Sequence, residues 1–247
     1  MDFSRQPTIW ISHRGCQTNH PENTLGAFEE AVRKGFSSLE TDLRISRDGQ
    51  IVLSHDPTLD RLCGDPRPIF SLSRKELQRI PLRGGERLLF FDEFMEAFPL
   101  CSWTFDIKPE HGEETIHVLG TWADSHQKTE SLLVQGKYLV WKSRHKQIVK
   151  QYLPEAVFYA GKNECIRAGI SAILRLPAGG GIRPGKIYGL PPRLYGLRLY
   201  RESIVDYYHR RDAKLLAFLP ENDADVKEAL RLNVDEILTD HHTPESF

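Results

Sequence analysis

The stretch TIWISHRGCQTNHPENTLGAFEEAVRKGFSSLETDL, residues 8–43, decides the fold. A β-rich run from Thr8 to Ser12 stops at His13-Arg14-Gly15. After a polar loop, Asn23-Thr24 offers a helix cap, and Leu25, Phe28, Ala31 and Val32 recur at helical spacing, which predicts one shared face. Gly35 closes the helix, and Ser38 to Leu43 reads as the next strand. Two strands joined through a helix run parallel, because a crossover of that length returns the chain to the end it left.

Outward from this unit, Arg47-Asp48-Gly49-Gln50 places an Asp-Gly turn between extended runs, a hairpin whose return arm ends at His55. Asp56 to Pro99 holds two segments of helical spacing, Ser73–Ile80 and Phe91–Phe98, with turn residues Arg83-Gly84-Gly85 between them. This predicts an insertion, in which the apolar run Leu88-Leu89-Phe90-Phe91 either packs onto the barrel, the preferred reading, or presents an apolar edge to a lipid chain, a choice the sequence leaves open. A third strand (Trp103–Lys108), a helix (Gly112–Ser125), a fourth strand (Leu132–Gln135), a helix (Arg144–Tyr152) and a fifth strand (Ala156–Ala160) follow. From Cys165 to Leu199, Pro177 to Gly181 and Gly189 to Pro192 break the pattern, and the sixth strand has no assigned place. The rhythm resumes with Ser203–Arg211 as helix, Lys214–Leu219 as strand, Ala224–Leu232 as helix and Glu236–Thr239 as strand.

This alternation over 247 residues predicts an α/β fold. We expect a TIM (β/α)8 barrel forming one domain over 1–247, with a small insertion after strand 2 at about 56–100. An open doubly wound sheet is the alternative, weakened because no glycine-rich phosphate loop follows the first strand.

Lys and Arg number 33 against 34 Asp and Glu, so no broad field would draw the chain to nucleic acid or anionic lipid, and anion recognition must be local. Cys16, Cys63, Cys101 and Cys165 form no Cys-x-x-Cys pair, which favours reduced thiols over a disulfide framework or zinc knuckle. The first residues lack a signal peptide's long apolar run, and no segment approaches about 18 apolar residues. A cytoplasmic protein with no stable membrane anchor and no nucleic-acid partner is expected; oligomeric state stays open.

The polar residues concentrate in the first 110 positions. Residues two apart in a strand point to one side, so Glu40 projects with Asp42 and Asp106 with Lys108. His13, Asp42 and Lys108 lie where predicted strands stop, the end at which barrels collect their chemistry. Alone, an acidic pair is more often a solvated strand end, and a single histidine a structural hydrogen-bonder. Three carboxylates without a His or Cys cage suit one divalent cation, Mg2+ or Ca2+, more than zinc. Beside them, two histidines able to exchange a proton and two fixed cations suit the handling of a phosphodiester.

His13-Arg14-Gly15, Pro21-Glu22-Asn23-Thr24, Glu40-x-Asp42, the run from Asp48-Gly49 to His55-Asp56, Leu59-Asp60-Arg61 and the terminal Asn233–Asp240 together resemble the glycerophosphodiester phosphodiesterase family. The resemblance runs from about Ile9 to Asp240 and is thin over Gly136–Tyr200. It implies a TIM barrel with an insertion after its second strand. It also implies a divalent cation and hydrolysis of a small-molecule glycerophosphodiester, or a lysophospholipid relative, to glycerol 3-phosphate and an alcohol. Carried over, the metal carboxylates fall on Glu40, Asp42 and Asp106, the catalytic pair on His13 and His55, and the phosphate-binding cations on Arg14 and Lys108, with Glu22 in support. The hypothesis that follows has the glycerol 2-hydroxyl attack phosphorus and water open the resulting cyclic phosphate, with His13 as base.

Three departures bear on the substrate. Asp106 stands where the family usually has Glu, and Asp-x-Lys resembles the related sphingomyelinase D-like phospholipases. Phe218 replaces a Trp that is commonly followed by Thr, and His241-His242 replace an aromatic and a proline. A phospholipase D-like phosphotransferase that releases a cyclic phosphate is therefore the second enzymatic reading. An inactive barrel that binds phosphorylated ligands is the non-enzymatic one.

Overall fold

The computed structural model describes residues 7–177 and 179–247. Contacts divide the chain into two compact units, Ser12–Val157 and the pair of segments Met1–Ile11 and Phe158–Phe247. Strand β1 (Ile9–His13) crosses from the second into the first.

In the Ser12–Val157 unit, helix α1 (Leu25–Arg33) starts at Thr24, whose hydroxyl accepts the Ala27 amide. Its inward face is Ala27, Phe28 and Ala31, whereas Leu25 and Val32 are 40% and 41% exposed, so the expected stripe is turned. The cause is the loop ahead of it. Gly15 sits so close to Ala27 that an added Cβ would lie 2.6 Å from the alanine Cβ, and its φ of +84° suits glycine. The small alanine, and not Leu25, therefore faces inward.

Strand β2 (Ser38–Ile45) is buried on both faces, and the Asp48-Gly49 turn, with Gly49 at φ 74°, folds β3 (Ile51–Leu53) antiparallel onto it. The insertion follows: β4 (Thr58–Leu59), α2 (Asp60–Cys63), β5 (Asp65–Pro68), α3 (Arg74–Leu77) and α4 (Phe91–Ala97). Leu59, Leu62, Ile69, Leu72, Leu77 and Phe90 give it a small core. Leu88 to Phe91 are all buried, as packing demands of an apolar run without an exposed role.

The chain then returns to the sheet through β6 (Ser102–Ile107), parallel to β2, and α5 (Gly112–Ser125). Of Leu132–Gln135, expected as a strand, the first three residues belong to α6 (Thr129–Val134) and Gln135 caps it, and the strand is β7 (Gly136–Val140), parallel to β6. Leu132 alone of that helix is buried while Val134 is 77% exposed. A three-residue apolar run fits one helical turn as well as a strand, and only burial separates them. Helix α7 (Ser143–Tyr152) and β8 (Val157–Phe158) complete the segment.

In the other unit, α8 (Lys162–Ile173) leads to β9 (Ile187–Leu190), the strand that had no assigned place. Gly189 within it and Pro191-Pro192 after it hide its pattern. A hairpin of β10 (Arg193–Leu194) and β11 (Leu197–Arg198) precedes α9 (Glu202–His209), β12 (Lys214–Phe218), α10 (Asp223–Arg231) and β13 (Glu236–Thr239). Strands β9, β12 and β13 are parallel in that order, over a core that includes Tyr188, Tyr208, Leu215 and Ile237. Along the chain, β1, β2, β6, β7, β8, β9, β12 and β13 alternate with helices in the (β/α)8 order of an α/β TIM barrel. The four cysteines are free, and no helix among the described residues is long and apolar enough to cross a membrane.

Candidate active site

Register builds the acidic cluster. In the parallel pairing of β2 with β6, Asp42 lies directly opposite Asp106, and Glu40 precedes Asp42 on the same face. Ligand oxygens of Glu40, Asp42 and Asp106 lie within 4.8 Å of one another, and all three residues are buried. Like charges placed opposite one another on adjacent strands destabilise a sheet unless cations compensate them. Lys108, one step beyond β6, supplies part of that compensation: its Nζ is 2.7 Å from Asp42 Oδ1 and 2.7 Å from Asp106 Oδ2. Arg14 supplies another part, with Nε 3.0 Å from Asp42 Oδ2.

The three carboxyls respond differently. Burial, and then the Asp42 charge, push the Glu40 carboxyl up to about 8. Burial also opposes the Asp42 charge, but Lys108 and Arg14 outweigh it, and its pKa falls below the ordinary value. Asp106 shares Lys108 but lacks the arginine; burial dominates there and its pKa rises. For Lys108, the two aspartates overcome burial and hold the ammonium charged.

The strand-to-helix loop carries the second layer. Arg14 adopts φ 59° and Asn23 φ 57°, left-handed conformations that L-residues other than Asn rarely take and that gather at functional sites. The Arg14 amide donates to the Glu40 carbonyl at 3.1 Å and also lies 3.2 Å from the Glu40 carboxylate. Asn23 Nδ2 donates to Asp42 Oδ2 at 3.0 Å, while Thr41 donates to Asn23 Oδ1 at 2.7 Å. His13 Nε2 lies 3.9 Å from Glu40 Oε2.

His55 reaches the same network by another route. Its Nδ1 is 2.8 Å from Asp56 Oδ1; a carboxylate only accepts, so Nδ1 donates and Nε2 is left for proton exchange. Arg61 holds Asp56 through Nε at 2.6 Å and grips Glu22 with both terminal nitrogens, at 3.0 and 2.6 Å. Glu22 also receives Arg14 NH1 at 3.4 Å, so one buried carboxylate ties the His13 loop to the His55 segment.

All eight residues singled out by sequence lie in the Ser12–Val157 unit; seven of them are linked by direct contacts, and His55 is joined to them through Asp56, Arg61 and Glu22. Four residues that order the site were assigned no role: Asn23, Asp56, Arg61 and Trp141. The first three stand inside quoted motifs. Trp141 has no local signal; it follows β7, and its Nε1 donates to Asp106 Oδ1 at 2.7 Å.

The glycerophosphoryl diester phosphodiesterase family profile matches residues 13–160, more than half of the chain. The chain belongs to that family. A probable glycerophosphodiester phosphodiesterase 2 of Mycobacterium tuberculosis is 25% identical over 94% of this chain and 87% of its own length. Among solved structures, a glycerophosphoryl diester phosphodiesterase domain from Mycobacterium tuberculosis superposes with a TM-score of 0.79, covering 98% of each chain at 16% identity. An Oleispira antarctica phosphodiesterase, solved in complex with the product sn-glycerol-3-phosphate, gives a TM-score of 0.73 at 19% identity, covering 97% of this chain and 95% of that one. These structures share the α/β TIM barrel fold. The glycerophosphodiester phosphodiesterase family places this chain among the phosphoric diester hydrolases.

Proposed function

We propose that this chain hydrolyses small-molecule glycerophosphodiesters to glycerol 3-phosphate and an alcohol, with one divalent cation held by Glu40, Asp42 and Asp106. The observation that carries the reading is the convergence of three buried carboxylates with two fixed cations. The donor set fits a hard cation: all ligands are oxygen, and Asp42 Oδ1 is buried without a well-directed hydrogen bond although Lys108 lies beside it. Mg2+ and Ca2+ both accept such ligands, and either, when bound, neutralises phosphate charge and acidifies a coordinated hydroxyl.

The protein's own groups supply the remainder. Arg14 and Lys108 bind and orient phosphate oxygens. His13 takes the proton of the attacking glycerol 2-hydroxyl, and His55, fixed through Nδ1 by Asp56, returns one to the leaving alcohol oxygen. Water then opens the resulting cyclic phosphate to the monoester. Glu22 keeps Arg14 and Arg61 in place, and through them both histidine segments.

Replacing His13 or His55 by alanine tests the acid-base pair. Each is expected to lower kcat by roughly 10^2- to 10^4-fold on glycerophosphocholine with little change in the melting curve. Turnover that survives both substitutions removes the pair from the mechanism. Asp106 keeps a second reading in play, in which a lysophospholipid is the substrate and the cyclic phosphate is the final product. Phosphorus NMR separates the two by whether the cyclic species persists.

A further inference from the structure

Helix α8 is inside out. Ala168, Ser171 and Ala172 face inward and are buried, whereas Ile166, Ile170, Ile173 and Leu174 are 45%, 50%, 38% and 62% exposed. Positions i, i+4, i+7 and i+8 make one continuous stripe, so the large aliphatic side of an amphipathic helix faces away from the core. Scattered exposed leucines need no explanation, but a contiguous aliphatic row does.

Charge narrows the choice of what covers it. Between Lys162 and Lys214 the chain carries eleven Lys and Arg against four Asp and Glu, although the whole protein is balanced at 33 against 34. Lys162, Arg167 and Arg175 are exposed along and just beyond α8. Its one acidic residue, Glu164, is paired with Lys186 at 2.5 Å. A second copy seated through the same stripe would bring Arg167 and Arg175 against basic residues of its own kind, with the only carboxylate of the helix already paired to Lys186. An anionic lipid surface answers both features, since acyl chains take the aliphatic row and phosphate headgroups take the basic margins.

We propose that α8 docks the protein peripherally on anionic bilayers, with Ile170 and Leu174 entering the headgroup boundary and Lys162 and Arg175 contacting lipid phosphates. This rests on the helix itself and is independent of the catalytic reading.

Co-sedimentation of the full chain with phosphatidylcholine vesicles, with and without phosphatidylglycerol, tests it. Binding is expected only to the anionic vesicles and is weakened by high salt. The double variant Ile170→Glu/Leu174→Glu should bind at least about tenfold more weakly while keeping its melting curve and its turnover of water-soluble glycerophosphocholine. Lys162→Glu should weaken binding in the same direction and rule out aliphatic contact as the sole cause. No binding to anionic vesicles at low salt overturns the proposal, and so does binding that the double variant leaves intact. A concentration-dependent dimer in sedimentation, abolished by the double variant, assigns the stripe to self-association and overturns it as well.

Discussion

Lys108 Nζ lies 2.7 Å from Asp42 Oδ1, a contact made across two parallel strands between groups that are both almost wholly buried. It joins a lysine that also holds Asp106 to the carboxylate at the centre of the acidic cluster. Removing one partner of a buried ion pair leaves the other charged and unsolvated. Lys108→Met is therefore expected to destabilise the cation-free protein by about 3 kcal/mol, measured by urea unfolding. Added Mg2+ or Ca2+ should recover part of that loss, because a cation replaces the missing compensation. Equal stability of variant and parent without cation would show that the cluster is balanced by other groups.

Trp141 holds Asp106 from the end of β7. Its indole N–H fixes the carboxylate, and its ring, 54% exposed, lies with its centroid 5.9 Å from Lys108 Nζ. Trp141→Phe keeps an aromatic ring and deletes only the donor. Outer groups that orient a metal carboxylate typically alter affinity or activity by roughly 10- to 100-fold, and a loss in that range is expected in cation affinity, measured by calorimetric titration. An unchanged cation affinity would reduce the contact to packing.

The site was legible in sequence where its parts are close along the chain. His13-Arg14 and Asp106-x-Lys108 sit at strand ends, whereas Glu40-x-Asp42 lies within β2, which runs on past the expected stop to Ile45; strand periodicity orients each pair. What register and crossovers decide was hidden. Asp106 pairs in the sheet with Leu139, two residues before Trp141, and no local pattern announces that neighbour. The fold followed the same rule. Helix α5 matches its periodicity, while the apolar residues of α6 read as a strand because three of them carry no period, and β9 is hidden among glycines and prolines. The outward aliphatic row of α8 also obeys a helical period, but period says nothing about which way the face points.

A partly buried carboxylate in the other unit is expected to be a local source of acid sensitivity. Asp235 Oδ2 lies 3.1 Å from His209 Nε2 and accepts the Leu215 amide at 2.8 Å. Burial opposes the aspartate's charge, yet these two partners outweigh it and its pKa falls below the ordinary value. A depressed carboxyl binds fewer protons folded than unfolded, so its contribution is present at neutral pH and is lost as pH falls through the folded pKa. Asp235→Asn should cost about 1–2 kcal/mol at neutral pH, and the gap should close below about pH 4, read from urea unfolding across pH. A gap that does not vary with pH contradicts that source.

A divalent cation seated on Glu40, Asp42 and Asp106 is expected to make this barrel a phosphodiesterase that yields a monoester. Phosphorus NMR of the purified protein acting on glycerophosphocholine, before and after chelation, tests it most directly. A glycerol 3-phosphate resonance is expected to grow with Mg2+ or Ca2+, stop on adding chelator, return on resupply, and be lost in Asp106→Ala. Turnover that continues unchanged under chelation and in Asp106→Ala would contradict it.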